Sequence, residues 1–223
     1  MISTGLKKLD EFFSGGIPNG IVVDIFGGNS TGKTQLALQL TKNSIKNGGN
    51  VLFFDTTGGF RPERILQIKN NYENPENFLK HITVSRITNT FEQIKSLENL
   101  QTQSFSLIVI DNVTDLFSFE YNKIESMYEK NSLFMKYLRK LSQHAIKNQI
   151  PVILTNMIRN VQKEEFENMK NAIDPFTHIK IHLSKNPKGY KGEVFWGLGK
   201  EKFLYLIDKN GLIDLNESHP NNF

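Results

Sequence analysis

Residues Gly27-Gly28-Asn29-Ser30-Thr31-Gly32-Lys33-Thr34 spell a complete G-x-x-x-x-G-K-[ST] phosphate loop, set between the apolar run 21–26 and a helical pattern that starts at once. This setting commits the chain to strand, loop and helix in that order, because glycines let backbone N–H groups close around phosphate oxygens and the helix adds the positive end of its dipole. Lys33 suits the β and γ charges, and the Thr34 hydroxyl suits Mg²⁺. The implied ligand is a nucleoside triphosphate with Mg²⁺, held by Gly27, Gly28, Asn29, Ser30, Thr31, Gly32, Lys33, Thr34 and Gln35.

Beyond the loop, apolar β-type runs at 21–26, 51–55, 81–85, 106–111 and 150–155 alternate with amphipathic patterns near 34–47, 61–70, 89–102 and 130–148. That alternation predicts an α/β fold with a mostly parallel central sheet flanked by helices. From about 158 to 177 the chain turns polar with little periodicity. Short strand candidates at 179–184, 192–197 and 203–207 then follow, separated by Asn186-Pro187-Lys188-Gly189 and Lys209-Asn210-Gly211, and predict an antiparallel C-terminal extension.

The 223 residues, 38% hydrophobic and 22% charged, suit one domain over 1–223 and leave no room for a second large one. No apolar run approaches the ~20 residues of a membrane span and the N-terminus lacks a signal-peptide layout, so a cytoplasmic protein is expected. With no cysteine there is no disulfide or thiolate metal site, and the five histidines offer only a His178/His182 pair. A net charge of +4 permits a polyanionic partner without requiring one.

Leu107-Ile108-Val109-Ile110-Asp111 is an apolar run ending in an acid. Alone, that pattern fits a helix-capping Asp as well as a site residue. Beside a phosphate loop, Asp111 reads as the acid of the Mg²⁺ shell, acting through water.

Together with these motifs, Ser3-Thr4-Gly5-Leu6, Gly15-Gly16-Ile17-Pro18-Asn19-Gly20, the block Phe54-Asp55-Thr56-Thr57-Gly58-Gly59-Phe60-Arg61-Pro62-Glu63-Arg64-Ile65 and Ile110-Asp111-Asn112-Val113-Thr114 resemble the RecA/RadA recombinase core, in order along about 3–215. With no N-terminal helical domain expected and a short tail, the chain most resembles the compact archaeal RadB-type paralogue. The resemblance implies a RecA-like ATPase core with ATP and Mg²⁺, and places Arg64 with its flat guanidinium on the adenine. An exposed helix-surface cation is the other reading of Arg64.

Two departures from the recombinase pattern stand out. Where the family carries a Glu that activates water, two residues after the strand-end Asp55, this chain has Thr57. Loss of a general base typically costs roughly 100- to 10,000-fold in rate. Asp55 is the one nearby substitute, since strand alternation would point it and Thr57 to one face. Where the family senses the γ-phosphate with a Gln, Thr155-Asn156 is followed by Met157, whose thioether makes no useful hydrogen bond.

The family's two DNA loops correspond to about 118–131 and 158–178. Arg159 and Lys163 in the second are offset by Glu164, Glu165 and Glu167. Phe119, Tyr121, Tyr128 and Phe176 fit either base stacking or a core. Lys185, Lys188 and Lys191, with Lys180, Lys200 and Lys202, gather in the C-terminal strands, where they suit phosphate contacts or a solvated edge that discourages strand pairing. No Phe-x-x-Ala assembly segment occurs.

The sequence therefore points to an ATP-binding, DNA-binding paralogue that assists recombination and repair, with single-stranded DNA and a RadA-type recombinase as partners and hydrolysis weak or absent. The alternatives are an active DNA-dependent ATPase recombinase and a KaiC-like nucleotide-binding scaffold without a DNA role.

Overall fold

The computed structural model describes residues 1–68, 75–101, 104–161 and 164–215. A short helix α1 (Lys7–Phe12) precedes β1 (Val22–Gly27), which feeds the phosphate loop and α2 (Lys33–Lys46). Then come β2 (Val51–Asp55), α3 (Pro62–Ile68), α4 (Pro75–Leu79), β3 (Ile82–Arg86), α5 (Thr90–Lys95), β4 (Leu107–Asp111), α6 (Asp115–Glu120) and the long α7 (Met127–Asn148). The chain continues through β5 (Val152–Val161), β6 (Glu164–Glu167), α8 (Lys170–Ile173), β7 (Ile179–Asn186), β8 (Gly189–Trp196), β9 (Gly199–Asp208) and β10 (Gly211–Asp214).

The described strands form one sheet in the order β10-β9-β8-β7-β1-β5-β4-β2-β3, with β6 paired to β5. Pairing is parallel from β7 across to β3 and antiparallel from β7 out to β10, as the apolar runs and turn residues predict.

Side chains alternate across the parallel strands, so each strand serves two cores. Val23, Ile25, Phe53, Val109 and Ile153 pack with α2 on one face. Val22, Leu52, Ile108, Ile110 and Leu154 pack on the other against Phe134, Tyr137, Leu138 and Leu141 of α7. Those α7 positions recur at helical spacing, giving the apolar stripe that a surface helix needs. The C-terminal strands extend the first core with Val194, Phe203, Tyr205 and Leu212, and α1 closes it through Phe12 and Phe13, 6.4 and 5.7 Å from the Trp196 ring.

The structure corrects several boundaries. The polar stretch after 157 is no loop at first: β5 runs on to Val161 and β6 returns antiparallel, pairing Ile158 with Glu167 and Arg159 with Phe166. Its charges hid the alternation, and Glu167 is buried through ion pairing rather than hydrophobicity. The first candidate DNA loop, 118–131, consists largely of the end of α6, a 3-10 turn at Ile124–Ser126 and the start of α7. The single helix expected at 89–102 is α5 followed by a 3-10 segment, Ser96–Gln101. The last turn closes a further strand, β10. No helix among the described residues is long and apolar enough to cross a membrane.

Candidate functional site

β1 delivers the phosphate loop to the carboxyl ends of the parallel strands, where open α/β sheets take their ligands. At Gly27 φ is +155° and a Cβ would sit 2.0 Å from the Leu183 carbonyl oxygen, so only glycine lets β1 end against β7. Gly32, with φ at +95°, makes the turn into α2. Lys33 Nζ donates to the carbonyls of Gly27 (2.9 Å) and Gly28 (2.7 Å), neutral acceptors that phosphate oxygens would outcompete. Burial pulls Lys33 below the ordinary lysine value, and Asp111 acts against that pull.

Asp111, at the end of β4, accepts from Thr34 Oγ1 at 2.9 and 3.1 Å and from the Thr155 hydroxyl of the neighbouring strand β5. Burial raises its pKa, the Thr155 and Thr34 hydrogen bonds oppose the rise, and Asp55 on the adjacent strand adds to it. A buried carboxylate, a hydroxyl and the phosphate loop form the oxygen-rich set that Mg²⁺ takes. The residues present therefore fit a magnesium nucleotide, with Thr34 and Asp111 as its metal-side groups.

Arg64, in α3, is fixed at its edges. Its Nε donates to Gln35 Oε1 at 2.6 Å, Nη1 to Gln67 Oε1 at 3.2 Å and to the Lys209 carbonyl at 3.4 Å, and Nη2 to the Asp208 carbonyl at 2.9 Å. It lines a cleft of about 440 Å³ together with Ser30, Lys33, Thr34, Gln35 and Tyr190. Phosphate loop and guanidinium thus share one cleft of ligand size, against the exposed-cation reading of Arg64.

The side of the cleft where water would be activated is built differently. β2 ends at Asp55, so strand alternation does not extend to Thr57, which is exposed in the following turn. Asp55 is buried and committed to that turn: it accepts backbone N–H groups from Thr57 (3.2 Å), Gly58 (2.7 Å), Gly59 (3.1 Å) and Phe60 (3.2 Å), and Arg86 lies 3.6 Å from it. A carboxylate with both oxygens taken up by these donors is a loop-holding group, with its lone pairs turned into the turn it closes. Met157 pairs in register with Gly27, so the thioether position falls at the phosphate loop as the sequence predicts.

The basic candidates separate. Arg159 is exposed on the β5–β6 hairpin, and Lys185 and Lys188 are exposed beside the β7–β8 turn, at the phosphate-loop end of the sheet. Lys191 is paired to Glu193 at 2.7 Å, and Lys200 and Lys202 reach the same carboxylate at 3.5 and 3.6 Å. Lys163 lies outside the described residues. Phe119 and Tyr128 are 78% and 86% exposed, whereas Phe176 is partly buried and packs against the second core.

Lys180 is withdrawn from any surface role. Its ammonium holds Glu167 and Asp174 and lies 3.7 Å from Asp24, whose own oxygens have no hydrogen-bond partner. Burial, then the charge of Glu167, raises Asp24 well above the ordinary carboxylate range. This cluster went unread in the sequence, as did Thr155. Thr155 carried a signal, being a hydroxyl at the end of an apolar strand. The cluster carried none, since its members lie on β1, β6, β7 and a 3-10 turn.

The sequence model of the family described as Rad51 matches residues 1–186. The DNA repair and recombination protein RadB of Thermococcus sibiricus is 31% identical over 195 residues, covering 86% of this chain and 77% of that protein. RadB of Thermococcus onnurineus is 36% identical over 162 residues, 71% of this chain and 69% of its own. The meiotic recombination protein DMC1 of Saccharomyces cerevisiae is 32% identical over 170 residues, 71% of this chain and 51% of its own.

Proposed function

The chain belongs to the Rad51 family and is a recombinase paralogue of DNA repair and recombination; from that premise we propose that it holds ATP with Mg²⁺ and binds DNA while hydrolysing ATP slowly or not at all. Its role would be that of an accessory or mediator acting beside a RadA-type recombinase in the cytoplasm, through a single core spanning 1–223. The observation that carries this reading is the division within one cleft. Lys33, Thr34, Asp111 and Arg64 are each fixed by named partners, whereas Thr57 stands where the family has its base and Asp55 is committed to a turn.

When bound, Mg²⁺ would neutralise charge between the β- and γ-phosphates. Around it, Lys33 and the loop N–H groups bind the phosphates and Arg64 presents a flat face to the base. The Thr57 hydroxyl keeps its own proton and cannot take another at neutral pH, so that position offers water no base.

For DNA, the exposed Arg159, Lys185 and Lys188 share the loop end of the sheet, and Phe119 and Tyr128 offer stacking faces nearby in sequence to α7. The proposed substrate is a single strand, whose unpaired bases can reach such faces. For the protein partner, β3 is the last strand on its side of the sheet among the described residues, beside a cleft of about 510 Å³ whose lining includes Leu52, Phe54, Ser85, Ile87 and Phe105. An edge strand next to a pocket with an apolar floor and a rim of Arg86, Glu92 and Lys95 suits an extended segment of another protein that adds a strand and buries one side chain.

The test is equilibrium binding of single-stranded DNA with and without Mg-ATP across a salt series. Affinity that falls steeply with salt and responds to nucleotide supports the mediator, because phosphate contacts release counterions. Nucleotide binding with no salt-dependent DNA binding would overturn it in favour of a scaffold with no DNA role.

A further inference from the structure

The last strands were read from sequence as an extension of the sheet and as a source of lysines, yet β9 and β10 touch the nucleotide cleft at several points. The buried Tyr205 hydroxyl, on β9, donates to the Thr31 carbonyl within the phosphate loop at 2.6 Å. Two residues on, the Ile207 side chain lies so near Gly32 that a Cβ there would meet it at 3.0 Å, with Leu212 of β10 at 3.3 Å. At the β9–β10 turn, the Asp208 and Lys209 carbonyls hold Arg64. One helical turn beyond Gln35, Gln39 of α2 accepts from Leu212 N at 2.8 Å and donates to the Leu212 carbonyl at 3.2 Å.

Each contact joins a group that faces the ligand, or lies next to one that does, to the same hairpin. The Thr31 carbonyl belongs to the loop whose N–H groups must turn toward phosphate, so a hydrogen bond to its oxygen fixes the peptide orientation on which they depend. Arg64 has four of its five N–H groups engaged with Gln35, Gln67, Lys209 and Asp208. Its edges are spent, and its flat faces remain as the recognition surface, suited to a ring and poorly suited to a phosphate. α2, which begins at the loop, carries both Gln35 and Gln39, so helix, base clamp and hairpin are tied to one another.

We propose that the β9–β10 hairpin is a working part of the nucleotide site, with Tyr205 as a positioning residue for the phosphate loop and the Asp208–Lys209 carbonyls as the holder of the base clamp. This rests on the nucleotide reading above. The hairpin and the ligand are then linked: nucleotide that settles the loop and Arg64 also settles the hairpin, and loosening the hairpin weakens nucleotide binding by the same factor. Because the clamp offers chiefly its faces, with four of its five N–H groups already engaged, the site selects for a large flat base, with purine triphosphates favoured over pyrimidine ones and adenine and guanine bound within a few-fold of each other.

The experiment is hydrogen exchange of the full chain with and without Mg-ATP, alongside nucleotide affinities of the wild type, Tyr205→Phe and Arg64→Lys. The expected result is slowed exchange in the phosphate loop and also in 204–213. Tyr205→Phe should weaken ATP binding about 3- to 10-fold, the effect of one lost hydrogen bond, and reduce the nucleotide-induced protection of 204–213, with a melting temperature without nucleotide lowered by only about 2–4 °C. Arg64→Lys, which keeps the charge and loses the fork, should bring purine and pyrimidine affinities together. Protection confined to the phosphate loop, with Tyr205→Phe binding ATP as the wild type does, would overturn the hairpin's role and leave the nucleotide reading standing. No protection anywhere and no measurable affinity would overturn both.

Discussion

The two walls of the nucleotide cleft come from the same sheet and are built to different standards. On the wall formed by the phosphate loop, β4 and the start of α2, each functional side chain is held: Lys33 by two carbonyls, Thr34 by Asp111, Asp111 by Thr155, Arg64 by Gln35 and the β9–β10 turn. On the wall formed by the end of β2 and the end of β5, the carboxylate present is Asp55, spent on backbone donors, and the other positions carry a hydroxyl and a thioether. Binding a triphosphate needs preorganised donors and a metal-side acid. Hydrolysing it needs, in addition, a group that can accept a proton from water. The two demands fall on different strands, so a chain can lose one and keep the other.

The largest expected effect comes from breaking the intact wall. Lys33→Ala should weaken ATP binding by about 100-fold, as expected for loss of a charge-assisted contact, read by titration calorimetry. An unchanged affinity would mean that the ligand binds elsewhere. The incomplete wall can be rebuilt in the opposite sense: Thr57→Glu should raise ATP turnover about 100-fold over the wild type, the lower end of what a general base contributes. No gain in turnover, with ATP still bound, would show that more than a base is missing from that wall.

Away from the cleft, replacing Lys185 and Lys188 together by alanine should weaken single-stranded DNA binding about tenfold at low salt and flatten the salt dependence by about one contact per lysine. Lys191→Ala should matter less, since its charge is already matched by Glu193. Equal effects of all three would mean that the Glu193 pair opens on binding.

The smallest effect concerns Asp24, within β1, the strand that feeds the phosphate loop. Its folded pKa is raised, first by burial and then by Glu167, so above the unfolded-state value the folded chain holds the proton more tightly than the unfolded chain does. That costs stability above the unfolded-state value near 4, and the cost vanishes as pH falls below it. Asp24→Asn, uncharged and of equal size, should therefore melt about 2–4 °C above the wild type at pH 8, the shift that ~1 kcal/mol gives in a chain this long, and the gap should close toward pH 4. A variant less stable than the wild type at pH 8 would mean that Asp24 is ionised and bound to Lys180.

The sequence carried the site well where chemistry is local. The phosphate loop and the strand-ending Asp111 are legible because a motif a few residues long fixes its own backbone, while Thr57 and Met157 stand out only against the pattern of the family the chain resembles. Alternating strands and helices likewise exposed the parallel sheet. What stayed hidden depends on partners far apart in the chain. Arg64 could be singled out, but its holders lie 144 and 145 residues away in a turn that reads only as a turn. The β5–β6 hairpin was hidden because Glu167 reaches the interior by pairing with Lys180, so hydrophobic alternation fails at the residue that anchors it. Tyr205 sits in an apolar strand where an aromatic ring needs no further explanation, and only the fold places its hydroxyl on the Thr31 carbonyl.

The most direct test of the divided cleft is single-turnover hydrolysis of Mg-ATP at saturating protein, with and without single-stranded DNA, using Lys33→Ala to mark contaminating activity. ATP that is bound but turned over no faster than in the Lys33→Ala control, with or without DNA, is the predicted result. Turnover that DNA stimulates and Lys33→Ala abolishes would contradict it, because a proton acceptor would then be operating on the wall where Thr57 stands.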